Sequence, residues 1–214
     1  MNARLSFDAE LESLSASLIR MGALATDAID KAIEALEAND GALAQSVIAG
    51  DRNIDDMERS IEHQCLTLLL RQQPVAGDLR RISTAMKVVT DMERIGDQAR
   101  DIAEILPEMV QYRFESRLHI GDMARASIKM VTDSIDSFVR KDIDAAKRVV
   151  EEDDVVDSLF TRVRGELIAA IAADPSQGEG FLDMLMIAKY FERIGDHATN
   201  IAEWVCFSIT GEHI

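Results

Sequence analysis

Apolar residues recur along this chain in alternating steps of four and three, the spacing that keeps one face of an α-helix out of water. Phe7, Leu11, Leu14, Leu18, Met21, Ala25, Ala28, Ala32 and Ala35 form one such seam. Leu43, Val47, Ile54, Met57, Ile61, Cys65 and Leu68 form a second. The apolar face of a third helix, expected from about Val75 to Leu106, is carried by Val88, Met92, Ile95, Ala99, Ile102 and Leu106. Nothing of strand length alternates with period two. Pro74 and Pro175 are each placed to precede a third helix, and Pro107 to end one.

The pattern occurs twice. ERIGDQARDIAE, from Glu93 to Glu104, returns as ERIGDHATNIAE from Glu192 to Glu203, with nine of twelve positions identical at an offset of 99. At an offset of 102, Val47, Asp51, Ile54, Asp55 and Met57 fall on Val149, Asp153, Val156, Asp157 and Leu159, so apolar character persists where identity is lost. A repeat of this length marks a duplicated structural unit. The expected fold is therefore all-α: six long helices, roughly 30 residues and 45 Å each, forming two pseudo-symmetric three-helix bundles. The expected boundaries are residues 1–108 and 109–214.

Composition narrows the function. A chain of 214 residues that is 47% hydrophobic has material for a sizeable core. No stretch approaches the roughly 20 apolar residues of a membrane span, so no direct membrane insertion is expected. The N-terminus does not resemble a signal peptide, because Arg4, Asp8, Glu10 and Glu12 interrupt any apolar run. Cys65 and Cys206 lack metal or redox spacing and read as reduced core thiols of a cytoplasmic protein. A formal net charge of −16 repels phosphate backbones and makes nucleic acid an unfavourable partner. It suits cations or a basic protein surface.

At about 100° per residue, Glu93, Asp97, Asp101 and Glu104 fall within one arc of roughly 80°, nearly opposite the apolar face of the third helix. Glu192, Asp196, Asn200 and Glu203 repeat the stripe. Like charges four residues apart destabilise a helix by a few tenths of a kcal/mol per pair, so the stripe calls for compensating positive charge, and Arg94 and Arg193 are expected to lie in the wrong arc to supply it fully. Asp51 with Asp55, and Asp153 with Asp157, place a matching carboxylate pair on each second helix. Two such pairs face to face would offer four oxygen-bearing side chains to a hard cation such as Mg²⁺, Mn²⁺, Ca²⁺ or iron. His197 could add a nitrogen ligand in the second copy, where the first has Gln98. The plainer reading is that these are solvated faces of acidic helices. Gly96 and Gly195 weaken a helix by about 1 kcal/mol each relative to alanine, and close helix approach is the expected reason for them.

The two ERIGD blocks, the turn QPVAGDLR from Gln73 to Arg80 and the duplicated three-helix layout together resemble the PhoU family, over essentially the whole chain. The resemblance implies dimerisation as a homodimer and multinuclear clusters of metal ions, whether iron, manganese, magnesium or zinc, held by paired acidic motifs. By position these are Asp51, Asp55, Glu93 and Asp97 in the first copy and Asp153, Asp157, Glu192 and Asp196 in the second. Asp101 continues the first stripe, and Asn200 replaces it with a neutral ligand in the second. It further implies a negative regulator of the phosphate-starvation response, linking the ATPase subunit of a phosphate transporter to a sensor histidine kinase.

A catalytic role has little support in the residues. No G-x-x-x-x-G-K-[ST] or G-x-G-x-x-G phosphate loop is present. The enzyme alternative is a helical-bundle carboxylate oxidase or metal-storage protein, which needs Glu-x-x-His pairs projecting into a bundle core. The residues three before His63, His119, His197 and His213 are Ser60, Ser116, Ile194 and Thr210. A third alternative is a helical scaffold whose acidic stripes only solubilise it.

Overall fold

The computed structural model describes residues 3–72, 74–109 and 119–212. Six α-helices follow in order: α1 (Ala3–Ala38), α2 (Gly41–Gln72), α3 (Ala76–Met109), α4 (Ile120–Arg140), α5 (Ile143–Ala173) and α6 (Gly178–Thr210). A single 3₁₀ turn at Pro175–Gln177 leads into α6. The described residues contain no strand.

The seams read from the sequence become the core. Phe7, Leu11, Leu14, Leu18, Met21, Ala25, Ala32 and Ala35 of α1 are buried, but Ile29 rather than Ala28 takes the position between Ala25 and Ala32. At 3.6 residues per turn the next inward position after residue 25 is nearer 29 than 28. All six expected residues of α3 are buried, and Ile82, Ala85, Val89 and Ala103 join them. That extra width has a cause: α3 packs against α1, α2 and α6, and α6 correspondingly against α3, α4 and α5. Among the described residues the outer helices α2 and α5 touch only their own halves. Two three-helix units thus lie side by side, joined through α1–α4 and α3–α6.

The α3–α6 pair is antiparallel. Arg80 lies near Gly211, Lys87 sits over the Trp204 ring at 5.7 Å, and Asp91 accepts from His197 and Asn200. Residue numbers rise on one helix as they fall on the other.

Duplication extends to the turns. Asn39 and Lys141 both adopt left-handed backbone, at φ 53° and 55°. Each is followed by an aspartate that caps the next helix: Asp40 accepts from the backbone N–H of Ala42 and Leu43, and Asp142 from that of Asp144 and Ala145. A side-chain oxygen at this position satisfies donors that have no partner inside the helix.

Pro107 does not end its helix. The described residues run helical through Pro107 to Met109, at the cost of the one backbone donor that a proline lacks. Cys65 and Cys206 are buried and unbridged. Burial, with Glu62 close by, pushes the Cys65 thiol up to about 12, which leaves it inert. No described helix is long and apolar enough to cross a membrane.

Candidate functional site

Asp51 is the first sign of a built site. Along α2 the buried positions run Ala44, Val47, Asp51, Ile54, Ile61, Cys65 and Leu68, so a carboxylate occupies a place in the hydrophobic seam. Its counterpart Asp153 holds the same place on α5, between Val149 and Val156. A buried charge requires a partner; Asp51 is buried, whereas Asp153 is only half-buried and Asp157 and Asp196 are exposed to solvent.

In the first half the partner is Arg100. Its Nη1 donates to Asp51 Oδ2 at 2.6 Å and reaches Asp97 Oδ1 at 2.9 Å, tying α2 to α3 through one guanidinium nitrogen. Asp101 lies 3.4 Å from its Nη2 and Glu104 3.6 Å from its Nε. Arg94 donates to Asp97 Oδ2 at 2.9 Å and lies 3.4 Å from Glu93. Arg59 completes the set at 3.7 Å from Asp55. Burial tends to strip the charge from Arg100, but the bond to Asp51 and the charges of Asp51, Asp97 and Asp101 hold it firmly protonated.

Two expectations about the stripe are corrected. Glu93 and Asp97 do not lie on a solvent face opposite the core; their side chains are 16% and 15% exposed, in the groove where α2 meets α3. An angular argument from one apolar face misses this because α3 is packed on three sides. Nor is Arg94 in the wrong arc. Its long side chain spans three residues along the helix to reach Asp97.

Charge in the groove is still incompletely balanced. Burial, reinforced by Asp97 and opposed by Arg94, pushes Glu93 up to about 7. Asp51 is also raised, by burial, despite the bond from Arg100.

The second half brings Asp153 and Asp157 of α5 alongside Glu192 and Asp196 of α6. Burial raises Asp153, and the charges of Asp196 and Asp157 raise it further, which places these carboxylates in one another's field. Among the described residues only Glu192 has an ion-pair partner, Lys189. Arg193, the counterpart of Arg94, makes no described ion pair. The Thr199 hydroxyl lies against Asp153, and its hydrogen bond to that carboxylate offsets part of the rise.

Asn200 and His197 turn elsewhere. Asn200 donates from Nδ2 to Asp91 Oδ1 at 3.2 Å, and His197 Nδ1 lies 2.9 Å from the same oxygen. Both therefore serve the α3–α6 seam between the halves in this arrangement.

Among the described residues no three carboxylate, thiol or imidazole groups draw together as a finished coordination sphere. Like charges spread when no cation lies between them, and in the first half a guanidinium already stands there. The donor set nonetheless suits a hard cation in kind: oxygen only, on two rigid neighbouring helices. It does not suit a carboxylate oxidase, since no Glu-x-x-His pair is present and the carboxylates line a groove between two helices, outside the core of a four-helix bundle.

Gly96 and Gly195 let the paired helices approach. A Cβ on Gly96 would lie 2.8 Å from Ile54 Cδ1 and 3.6 Å from Asp51 Oδ1. On Gly195 the nearest atom, Val156 Cγ1, would be 3.4 Å away. Alanine gains about 1 kcal/mol over glycine in a helix, whereas crowding a packed site costs about 1–3 kcal/mol. Gly96→Ala is therefore expected to lower stability and Gly195→Ala to leave it unchanged or raised, in urea unfolding of the two variants; equal effects would contradict the difference in clearance.

The PhoU domain model matches residues 18–106 and again 120–205, one match in each half. The chain belongs to the PhoU family. Among curated PhoU relatives, the phosphate-specific transport system accessory protein PhoU homolog of Clostridium acetobutylicum is 39% identical over 213 residues, covering 99% of this chain and 97% of that one. The accessory protein PhoU of Escherichia coli is 33% identical, covering 96% and 86%. The crystal structure of PhoU from Pseudomonas aeruginosa superposes with a TM-score of 0.91 at 36% identity, over 96% of this chain and all of that one. The phosphate transport system regulatory protein PhoU from Streptococcus pneumoniae gives 0.90 at 27% identity, over 97% and 99%.

Sequence reasoning missed Arg59 and Arg100. Arg100 stands three residues after Asp97 and four before Glu104, a spacing at which helical neighbours meet, so the signal was present. Its reach across to Asp51 on another helix was not.

Proposed function

We propose that this PhoU-family chain regulates phosphate uptake and phosphate-starvation signalling as an accessory to a phosphate transporter. The observation that carries this reading is the near full-length match, in sequence and fold, to proteins named as accessories and regulators of phosphate transport systems. A regulator of this kind acts by contact in the cytoplasm. The partners we assign are the transporter's ATPase subunit and a sensor histidine kinase, with the acidic helices of a homodimeric protein as docking surfaces for basic elements. Catalysis is not part of the role.

The carboxylate grooves supply the second part of the proposal. Asp51, Asp55, Glu93 and Asp97 on α2 and α3, and Asp153, Asp157, Glu192 and Asp196 on α5 and α6, would hold divalent or trivalent metal ions. Asp101 would extend the first set; Asn200 could join the second only by leaving Asp91. When bound, a cation would supply positive charge, neutralising the mutual repulsion of these side chains. The residues themselves would then fix the separation of each helix pair, and so the shape of the outer surface that partners meet.

Deleting the coding region tests the regulatory role. Expression of phosphate-starvation genes in phosphate-rich medium is expected to rise severalfold or more. Unchanged repression would point to a different transporter or to no regulatory role. Affinity capture of the tagged chain at high phosphate is expected to recover the ATPase subunit or the sensor kinase; recovery of neither would remove the partner assignment.

A further inference from the structure

A cleft opens away from the carboxylate grooves, where the two halves meet. Gly22 of α1 faces Ile135 of α4, and Gly121 of α4 lies near Glu37 of α1, so these two helices run antiparallel. α4 ends at Arg140, little more than a turn past Ile135, while the first turns of α1 run on without it. The space beside them is a cleft of about 370 Å³, walled by α1, the start of α3 and the ends of α4 and α6. That volume falls in the range that holds small-molecule ligands.

Its lining is apolar along one side, from Leu11, Leu14 and Leu18 of α1 and Phe138 of α4, and carries two cations, Arg81 and Lys141. Arg140, the neighbour of Lys141, is tied to Asp136, whereas Arg81 and Lys141 have no ion-pair partner among the described residues. Asp78 also borders the cleft, but it is buried and already engaged. The hydroxyls of Ser15 and Ser208 donate to carbonyls of their own helices. The recognition left over in the cleft is therefore cationic. Both cations depart from the repeat: at the offset of 99 Arg81 falls on Gly180, and at 102 Lys141 falls on Asn39. Lys141 nonetheless keeps the left-handed backbone, φ 55°, that asparagine adopts readily and lysine rarely.

We infer that this cleft binds a small organic anion, its apolar body against Leu11, Leu14, Leu18 and Phe138 and its acidic group on Arg81 and Lys141. A carboxylate, sulfonate or phosphate monoester complements the two cations, and seating the body removes apolar surface from water. Inorganic phosphate offers the charge without the body and is held weakly. Because the lining comes from both halves, an occupant also braces one against the other. This site is independent of the carboxylate grooves and of the transporter partners.

Anilinonaphthalene sulfonate, an apolar body with one anionic group, is the probe, read at neutral pH by the rise in its fluorescence on leaving water. The native chain is expected to bind it saturably, one per chain, and decanoate to displace it. Inorganic phosphate and decylammonium at the same concentration should not. Arg81→Ala and Lys141→Asn should each weaken binding about tenfold, the effect of losing one charge-assisted bond. Lys141→Asn takes the residue that the first half has at this turn, so its urea midpoint should hold or rise while affinity falls, a split that a purely structural role would not give. Arg125→Ala removes a charge near the opposite end of α4 and should leave binding unchanged. The inference is overturned by no saturable binding to the native chain, by unchanged affinity in both cleft variants, by an equal loss in Arg125→Ala, or by decylammonium or inorganic phosphate displacing the probe as well as decanoate does.

Discussion

Arg100→Ala is expected to destabilise the metal-free protein by about 2–3 kcal/mol near pH 7.5. Removing one partner of a buried ion pair costs about 3–5 kcal/mol, because the other charge stays buried without compensation. Here Asp51 is 9% exposed but Arg100 is 31% exposed, so solvent softens the loss. The same substitution frees Asp97, Asp101 and Glu104 to repel one another. The cost should shrink toward pH 5. Asp51 is already raised by burial and would rise further without its guanidinium. Between its unfolded and folded values the folded state then binds more protons, and stability increases as pH falls. Arg94→Ala is the control: its side chain is 54% exposed, and such surface pairs contribute about 0–1 kcal/mol. Urea unfolding of both variants at two pH values checks the prediction. Equal losses for Arg94 and Arg100 would contradict it.

Stability of the metal-free wild type should itself carry an acid-favoured component from Glu93. Folding moves this carboxyl from the ordinary 4.5 up to about 7. Below 4.5 it is protonated in both states and contributes no difference. From 4.5 to 7 the folded chain retains a proton that the unfolded chain releases, so stability falls with rising pH across that window and levels off above it. After allowance for solvent screening, the loss attributable to this side chain is about 1–2 kcal/mol. Glu93→Gln keeps the shape and removes the titration. The difference between wild-type and variant unfolding free energies, measured from pH 4 to pH 8.5 in chelator, is expected to slope between 4.5 and 7; a flat difference would mean that Glu93 ionises freely in the groove.

The apolar seams of α1 and α3 were legible from spacing alone because helical period and burial are the same fact written twice. Ala28 and Ile29 exchanged places only through the drift of 3.6 against integer steps. Pro107 misled because a proline costs a helix one backbone bond without always ending it. The carboxylate pairs were legible too, through duplication, and Asp51 could have been singled out: it falls on the inward side of α2, where the seam steps from Val47 to Ile54. Partner choice was not legible. Arg100 reaches Asp51 over 49 residues of sequence, and Asn200 reaches Asp91 over 109. Only the packing of one helix on another decides such pairs, so the sequence supplied the charged groups without saying which would neutralise which.

The most direct test of the carboxylate grooves is anomalous diffraction from crystals of the chelator-stripped protein soaked in Mn²⁺. The expected result is an anomalous peak in at least one groove, within about 2–2.5 Å of carboxylate oxygens from Asp51, Asp55, Glu93 or Asp97, or from Asp153, Asp157, Glu192 or Asp196. Density absent from both grooves at saturating Mn²⁺ would contradict the account.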